Sequence, residues 1–216
     1  VRVGRGARGA LQEEAAAWRE AGWPVRGVSV RGRREWGVVV AVREAARAAA
    51  LPVVANGAWT AREAVAKGGW VAGLGVGFVA QPVPASNREG LRFVYERSAL
   101  PIAADESCVT AADVPAVADR CDIVNLKLMK TGGLAEARRA IATARAHGLE
   151  VMLGCMIESN ASIAAAAHLA PSVDYADLDG SLLLETDPFT GVDLAGGSID
   201  LAATDRPGTG AVRDDE

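Results

Sequence analysis

Apolar positions along this chain come in short unbroken runs, separated by longer alanine-rich stretches dotted with charge. The runs are Val1–Val3, Val25–Val30, Leu51–Val54, Val76–Ala80, Pro101–Ala104, Ile123–Lys127, Glu150–Cys155 and Val173–Leu178. Most are rich in valine, isoleucine and leucine, and each is no longer than one strand. Continuous apolar strands, rather than alternating ones, predict a parallel sheet covered on both faces. The stretches between them predict helices at Ala10–Ala21, Glu35–Ala49, Ala61–Ala72, Asn87–Arg97, Ala111–Ala118, Leu134–His147 and Ser159–Ala170. Thr60 and Ser86 are placed to cap two of these at their N-termini, and Gly148 to end the helix closing at His147. Runs recurring roughly every 20–30 residues match the length of one βα unit.

Eight strands alternating with seven helices predict a closed α/β barrel of the (β/α)7β, TIM-like type over residues 1–180. No GxGxxG follows the first strand, which weighs against an open dinucleotide-binding sheet. After Gly180 the pattern dissolves into a Gly- and Asp-rich tail, 181–216, expected to pack on the barrel or to be partly disordered. With 216 residues, 50% of them hydrophobic, the chain suits one barrel-sized domain. A net charge of −4 gives nucleic acid nothing to bind. The early basic residues Arg2, Arg5 and Arg8 read as a solvated start. No apolar run reaches the roughly 18 residues of a membrane span, and no secretory leader pattern opens the chain. Cys108, Cys121 and Cys155 show no CxxC spacing, so a reduced, cytoplasmic protein is expected. An apolar rim at the barrel mouth would favour homo-oligomers.

In a barrel, the residues that end each strand face the active site. Asp105 ends one strand, with Glu106 a weaker neighbour. A carboxylate there suits Mg²⁺, or equally a loop carboxylate satisfied by backbone amides. Lys127 ends the next strand and faces inward. Burial lowers a lysine's pKa toward general-base duty; the alternative is a structural lysine paired with a neighbouring strand's carboxylate. Lys130, three residues on, is expected to turn toward the loop. Asp177 and Asp179 fall on one side of their strand, and two like charges side by side call for a substrate ammonium or a metal between them. The other reading is a helix cap and a solvated loop residue. Glu158 is placed to bind substrate or to cap a helix. Cys155 has no histidine paired with it, and His147 and His168 fall at helix ends on the surface.

Taken together, PIAADES, NLKLMKTGGL, GLEVMLGCMIES and DLDG, with ANGAWTAREAV and FVAQPVPA upstream, resemble the enolase superfamily. The likeness is to its muconate-lactonising and mandelate racemase-like branch, and within it to the dipeptide epimerases acting on L-Ala-D/L-Glu and related dipeptides. It spans Gly22 to Gly210. The resemblance implies an isomerase acting on a small-molecule dipeptide or carboxylate. A proton α to a carboxylate would be removed with Mg²⁺ on three strand-end carboxylates, and two lysines would work on opposite faces. It implies that Lys127 is one of these lysines, that Asp105 is the third metal ligand, and that Asp177 and Asp179 hold the dipeptide's ammonium. Cys155 and Met156 would line the pocket. The chain departs from the family pattern at four positions. Val54 stands where a DAN motif has its Asp, Ala80 where an EQP motif has its Glu, and Gly27 and Ser29 where a KxK strand has its lysines. These 216 residues are expected to correspond to the barrel alone, without the family's N-terminal capping domain. Expectations are therefore an epimerase by descent that binds Mg²⁺ weakly, or a catalytically inert barrel that still binds small molecules. A one-base lyase or hydratase using Lys127 alone is a third.

Overall fold

The computed structural model describes residues 2–3, 17, 20, 27–30, 35–45, 51–203 and 205–214. The expected helix at Ala10–Ala21 lies, apart from residues 17 and 20, outside them. So do Val1, Arg5, Arg8, Val25 and the end of the helix expected to reach Ala49. Eight strands pair in parallel, in chain order, in one sheet. They are β1 (Arg2–Val3), β2 (Gly27–Ser29), β3 (Leu51–Val54), β4 (Val76–Ala80), β5 (Ile102–Ala104), β6 (Ile123–Lys127), β7 (Glu150–Gly154) and β8 (Tyr175–Ala176).

The sheet curls on itself. Neighbouring strands lie about 4.8 Å apart, so β4 and β8 of a flat sheet would be about 19 Å apart. Yet the rings of Phe78 on β4 and Tyr175 on β8 have centroids 5.3 Å apart. Side-chain alternation then divides each strand between two cores. Val54, Phe78, Ala80, Ala103, Ile123 and Met152 pack together inside the barrel. Val53, Val79, Ala104, Leu126 and Leu153 belong to the larger core shared with the helices.

The helices are α1 (Glu35–Ala45), α2 (Ala61–Ala72), α3 (Arg88–Tyr95), α4 (Val114–Val117), α5 (Leu128–Thr131), α6 (Leu134–Ala146) and α7 (Asn160–Ala167). Thr60 caps α2 in a reciprocal capping box with Glu63, as its Thr-x-x-Glu spacing predicts. α3 is capped by Asn87 instead of Ser86: the Asn87 side chain accepts from the Gly90 N–H at 2.9 Å. A Cβ at position 90 would lie 2.3 Å from the Asn87 amide, so the glycine makes this cap possible. The helix expected at Ala111–Ala118 is a 3-10 turn at Ala111–Asp113 followed by the short α4. Pro115, near the start of α4, lacks an N–H, and the Asp113 carboxylate accepts from the Val109 and Thr110 amides. α6 ends as expected at Gly148, which adopts φ 73. The Gly148 N–H reaches Arg145 O and the Leu149 N–H reaches Ala144 O, each at 3.0 Å, a double closure of the last turn. α7 stops at Ala167, short of the expected Ala170; a separate 3-10 turn containing Pro171 follows.

Beyond β8 the chain forms a small antiparallel pair, β9 (Phe189–Thr190) with β10 (Val212–Arg213). Asn160 at the start of α7 clasps this segment. Its Nδ2 donates to Val192 O, and its Oδ1 accepts from Val192 N, both at 2.9 Å. Its own N–H donates to Asp187 Oδ2 at 2.6 Å. Among the described residues, no helix is long and apolar enough to cross a membrane.

Candidate functional site

Alternation along β5 and β6 aims Asp105, Asn125 and Lys127 the same way as the interior residues Ala103 and Ile123. They meet around one carboxylate. Lys127 Nζ lies 2.8 Å from Asp105 Oδ2, and Lys130 Nζ lies 2.7 Å from Asp105 Oδ1. Asn125 Nδ2 donates to Asp105 Oδ2 at 2.9 Å. The cluster is deeply buried, with side-chain exposures of 1% for Asp105, 4% for Lys127 and 9% for Lys130. Burial alone pushes the Asp105 carboxyl up, but the Lys130 and Lys127 ammonium groups outweigh it and hold it below its usual range.

Lys130 does not turn toward the loop. After the extended Lys127, α5 makes a single turn and ends on Gly132 at φ 80. On a helix, residues three apart share a face, and this turn folds Lys130 back under the strand end. Its Nζ donates to Asp105 Oδ1, and also to Asp105 O at 2.6 Å, Asn125 O at 2.7 Å and Cys108 O at 3.1 Å. Four oxygens around one nitrogen is the environment of a held ammonium. Lys127, in contrast, has Asp105 as its one partner among the described residues. Lys130 and Asn125 are the two cluster members that the strand-end rule misses. The Lys-x-x-Lys spacing and the 123–125–127 alternation were the signals for them.

The loops after β3 and β4 hold two non-glycine residues in the left-handed region, Asn56 at φ 49 and Gln81 at φ 42. Such backbone strain concentrates at functional sites. Gln81 stitches the β4 and β5 ends together. Its Oε1 accepts from the Asp105 and Ser107 amides, while its Nε2 donates to Val83 O and Ser107 Oγ. Asn56 donates to Glu106 Oε1 at 2.8 Å. Glu106 Oε2 and Asn125 Oδ1 are buried and lack a hydrogen-bond partner among the described residues.

Val54 and Ala80 are packed inside the barrel at 3% and 1% exposure. Ser29 is their neighbour in register, facing Val54 as Val54 faces Ala80, while Gly27 sits two residues earlier on β2. A magnesium ion needs several anionic or neutral oxygens in octahedral array. Val54 and Ala80 offer none, and both oxygens of Asp105 already contact ammonium groups that would repel a divalent cation. Among the described residues, no group of three or more His, Cys, Asp or Glu side chains is placed to hold a metal. These residues do not fit Mg²⁺.

The ends of β7 and β8 form a second group. Cys155 Sγ lies 3.7 Å from Asp179 Oδ1, and the Asp177 N–H binds Leu153 O at 2.9 Å. Met156 is 43% exposed. Glu158 accepts from the Met156 N–H at 2.8 Å and from the Ser162 hydroxyl, so its carboxylate braces its own loop. Gly180 passes so close that a Cβ there would lie 2.0 Å from Met156 O. Cys155 and Asp179 are thus in contact, whereas Asp105 and Lys127 belong to the β5–β6 cluster.

Comparison with known proteins agrees with this architecture. Residues 10–216 match the family described as enolase C-terminal domain-like. The hydrophobic dipeptide epimerase of Roseobacter litoralis is 45% identical over 80% of this chain and 50% of its own length. The L-Ala-D/L-Glu epimerase of Escherichia coli is 42% identical over 76% of this chain and 50% of its own. The chain thus spans about half the length of the curated relatives it matches. Among solved structures, the dipeptide epimerase from Enterococcus faecalis complexed with Mg and the dipeptide L-Leu-L-Tyr superposes with a TM-score of 0.88 and 33% identity. The superposition covers 97% of this chain and 62% of that one. A chain with this strand order, this inward-facing cluster and these relatives belongs to the enolase C-terminal domain-like family, as a TIM-like barrel resembling the dipeptide epimerases.

Proposed function

We propose that this chain is a dipeptide-epimerase barrel by descent that binds dipeptide-like small molecules without epimerising them. The observation that carries the proposal is the state of the inward strand ends. Val54 and Ala80 are apolar and buried, and Asp105 is clamped between Lys127 and Lys130. Epimerisation of an α-carbon needs a stabiliser for the carbanion's charge and a proton donor on the face opposite the base. Here Lys127 serves one face. On the other side, Gly27 and Ser29 offer no group that titrates as a base near neutral pH.

In this reading Asp177 and Asp179 supply negative charge for a ligand's ammonium, and Cys155 and Met156 line the same strand ends; the Cys155–Asp179 contact supports it. None of the three cysteines is in a disulfide.

The test is α-proton exchange on L-Ala-L-Glu and L-Leu-L-Tyr in D₂O with Mg²⁺, followed by NMR, with dipeptide binding read by saturation transfer in the same samples. The expected result is saturable binding with exchange no faster than without protein. Exchange above that control, abolished by Lys127→Ala, would overturn the reading.

A further inference from the structure

The charge count of the buried cluster is uneven. Asp105 carries one negative charge, and Lys127 and Lys130 together carry two positive charges. Lys130 is saturated by four oxygens. Lys127 spends one N–H on Asp105 Oδ2, and its other two have no partner among the described residues. An ammonium group 4% exposed with two open donors is costly to leave unfilled. The excess charge and the open donors therefore sit on the same atom, Lys127 Nζ. The interior ends of β3 and β4 carry Val54 and Ala80 and add no negative charge to the strand-end face.

We infer that Lys127 is the seat of a monoanionic carboxylate, bound directly and without a metal. The field at this strand end has the sign opposite to that of a metal-binding site. It selects an anion, because Val54 and Ala80 supply no oxygen to offset the two lysines for a divalent cation. A carboxylate brings one negative charge to a cluster with an excess of one positive charge, and its oxygens can accept from the open Lys127 N–H groups, with the ammonium acting as a point charge. Asp105 then acts as a positioning residue. It fixes the Lys127 ammonium through Oδ2 while Lys130 and Asn125 hold Asp105 itself. The inference deepens the binding reading above by assigning the end of the pocket that takes the ligand's carboxylate.

Sodium propionate is the probe, because it carries the carboxylate and nothing else of a dipeptide. It is titrated by calorimetry at constant ionic strength in EDTA, and then again with Mg²⁺. In parallel, the Lys127 ε-methylene resonance is followed by NMR, assigned through its side-chain correlations to the Lys127 backbone. Saturable binding that moves this resonance, is unchanged by Mg²⁺ and weakens at least tenfold in Lys127→Met is the expected result. Lys127→Met leaves the Asp105–Lys130 pair intact, and the resonance shift in the unsubstituted chain gives the answer even if that variant folds poorly. No saturable binding, binding that requires Mg²⁺, or equal binding of phosphate or chloride would overturn the assignment. If propionate binds while L-Ala-L-Glu does not, the carboxylate seat stands and the dipeptide reading fails.

Discussion

Replacing Asp105 by Asn tests the buried cluster most directly. The two ions at 2.8 and 2.7 Å each attract the carboxylate by about 6 kcal/mol at an effective dielectric constant of about 20. Desolvating each ion consumes several kcal/mol of that attraction, so the net worth of the cluster is modest. Breaking it is another matter. An Asn side chain can offer its oxygen to one lysine but then turns its NH₂ toward the other, setting donor against donor. That leaves a buried ammonium unpaired, a change that costs about 3–5 kcal/mol. Asp105→Asn should therefore lower the urea midpoint by roughly 2 M, at a slope of about 2 kcal/mol/M. Trp59, buried at 3% exposure, gives a fluorescence signal for the transition, with circular dichroism as the second probe. The double variant Asp105→Asn/Lys127→Met should recover part of the loss, because the stranded charge leaves with the lysine. A loss below about 1 kcal/mol, or a double variant no more stable than the single one, would refute the ion-pair reasoning.

Three further outcomes are expected. Val54→Asp with Ala80→Glu places two carboxylates among Phe78, Ile123 and Met152; it should lower the melting temperature by about 2–4 °C for each kcal/mol lost. Mg²⁺ should restore at least half of that drop, and no response to Mg²⁺ would show that the three strand ends do not converge on one ion. Burial pushes the Cys108 thiol up to about 11 and the Cys121 thiol up to about 12. Neither should therefore react with a disulfide reagent at pH 7.5 until urea unfolds the chain, and stoichiometric native labelling at either residue would contradict their placement. Asn160→Ala strands the Val192 N–H and carbonyl, about 1–3 kcal/mol for each group left without a partner. Chymotrypsin should then cut at Phe189 at least tenfold faster, and an unchanged rate would mean that the clasp does not hold the tail.

The elements legible in the sequence are those with hard punctuation at both ends. β3, β4, β6 and α2 begin and end where the apolar runs and the Thr60 cap place them. The shortfalls have local causes. Ser86 loses the cap to Asn87 because Gly90 opens the space that the Asn amide fills. Pro115 sits in the short α4, and Pro171 follows the early end of α7. At the site, Asp105 and Lys127 were legible because position on a parallel strand determines where a side chain points. Lys130 was not, because a loop reading treats three residues as distance gained, whereas one helical turn brings the chain back. Asn56 and Gln81 were legible as motif residues, but their left-handed backbone was not. A glycine signals a left-handed backbone through its identity, but an Asn or Gln held there by its surroundings does not.

The near-collision at Gly180 has a consequence for how the β7 strand end drifts. With no room for even one carbon between Gly180 and the Met156 carbonyl, the turn that launches the tail is wedged against the loop bearing Cys155 and Met156. The position of that loop is therefore set partly from behind. Changes at Asn160, Asp187 or Val192, which anchor the tail, would shift the wedge and with it the loop after β7. Drift in the tail anchor is thus felt at the β7 strand end without any change in Cys155 or Met156 themselves.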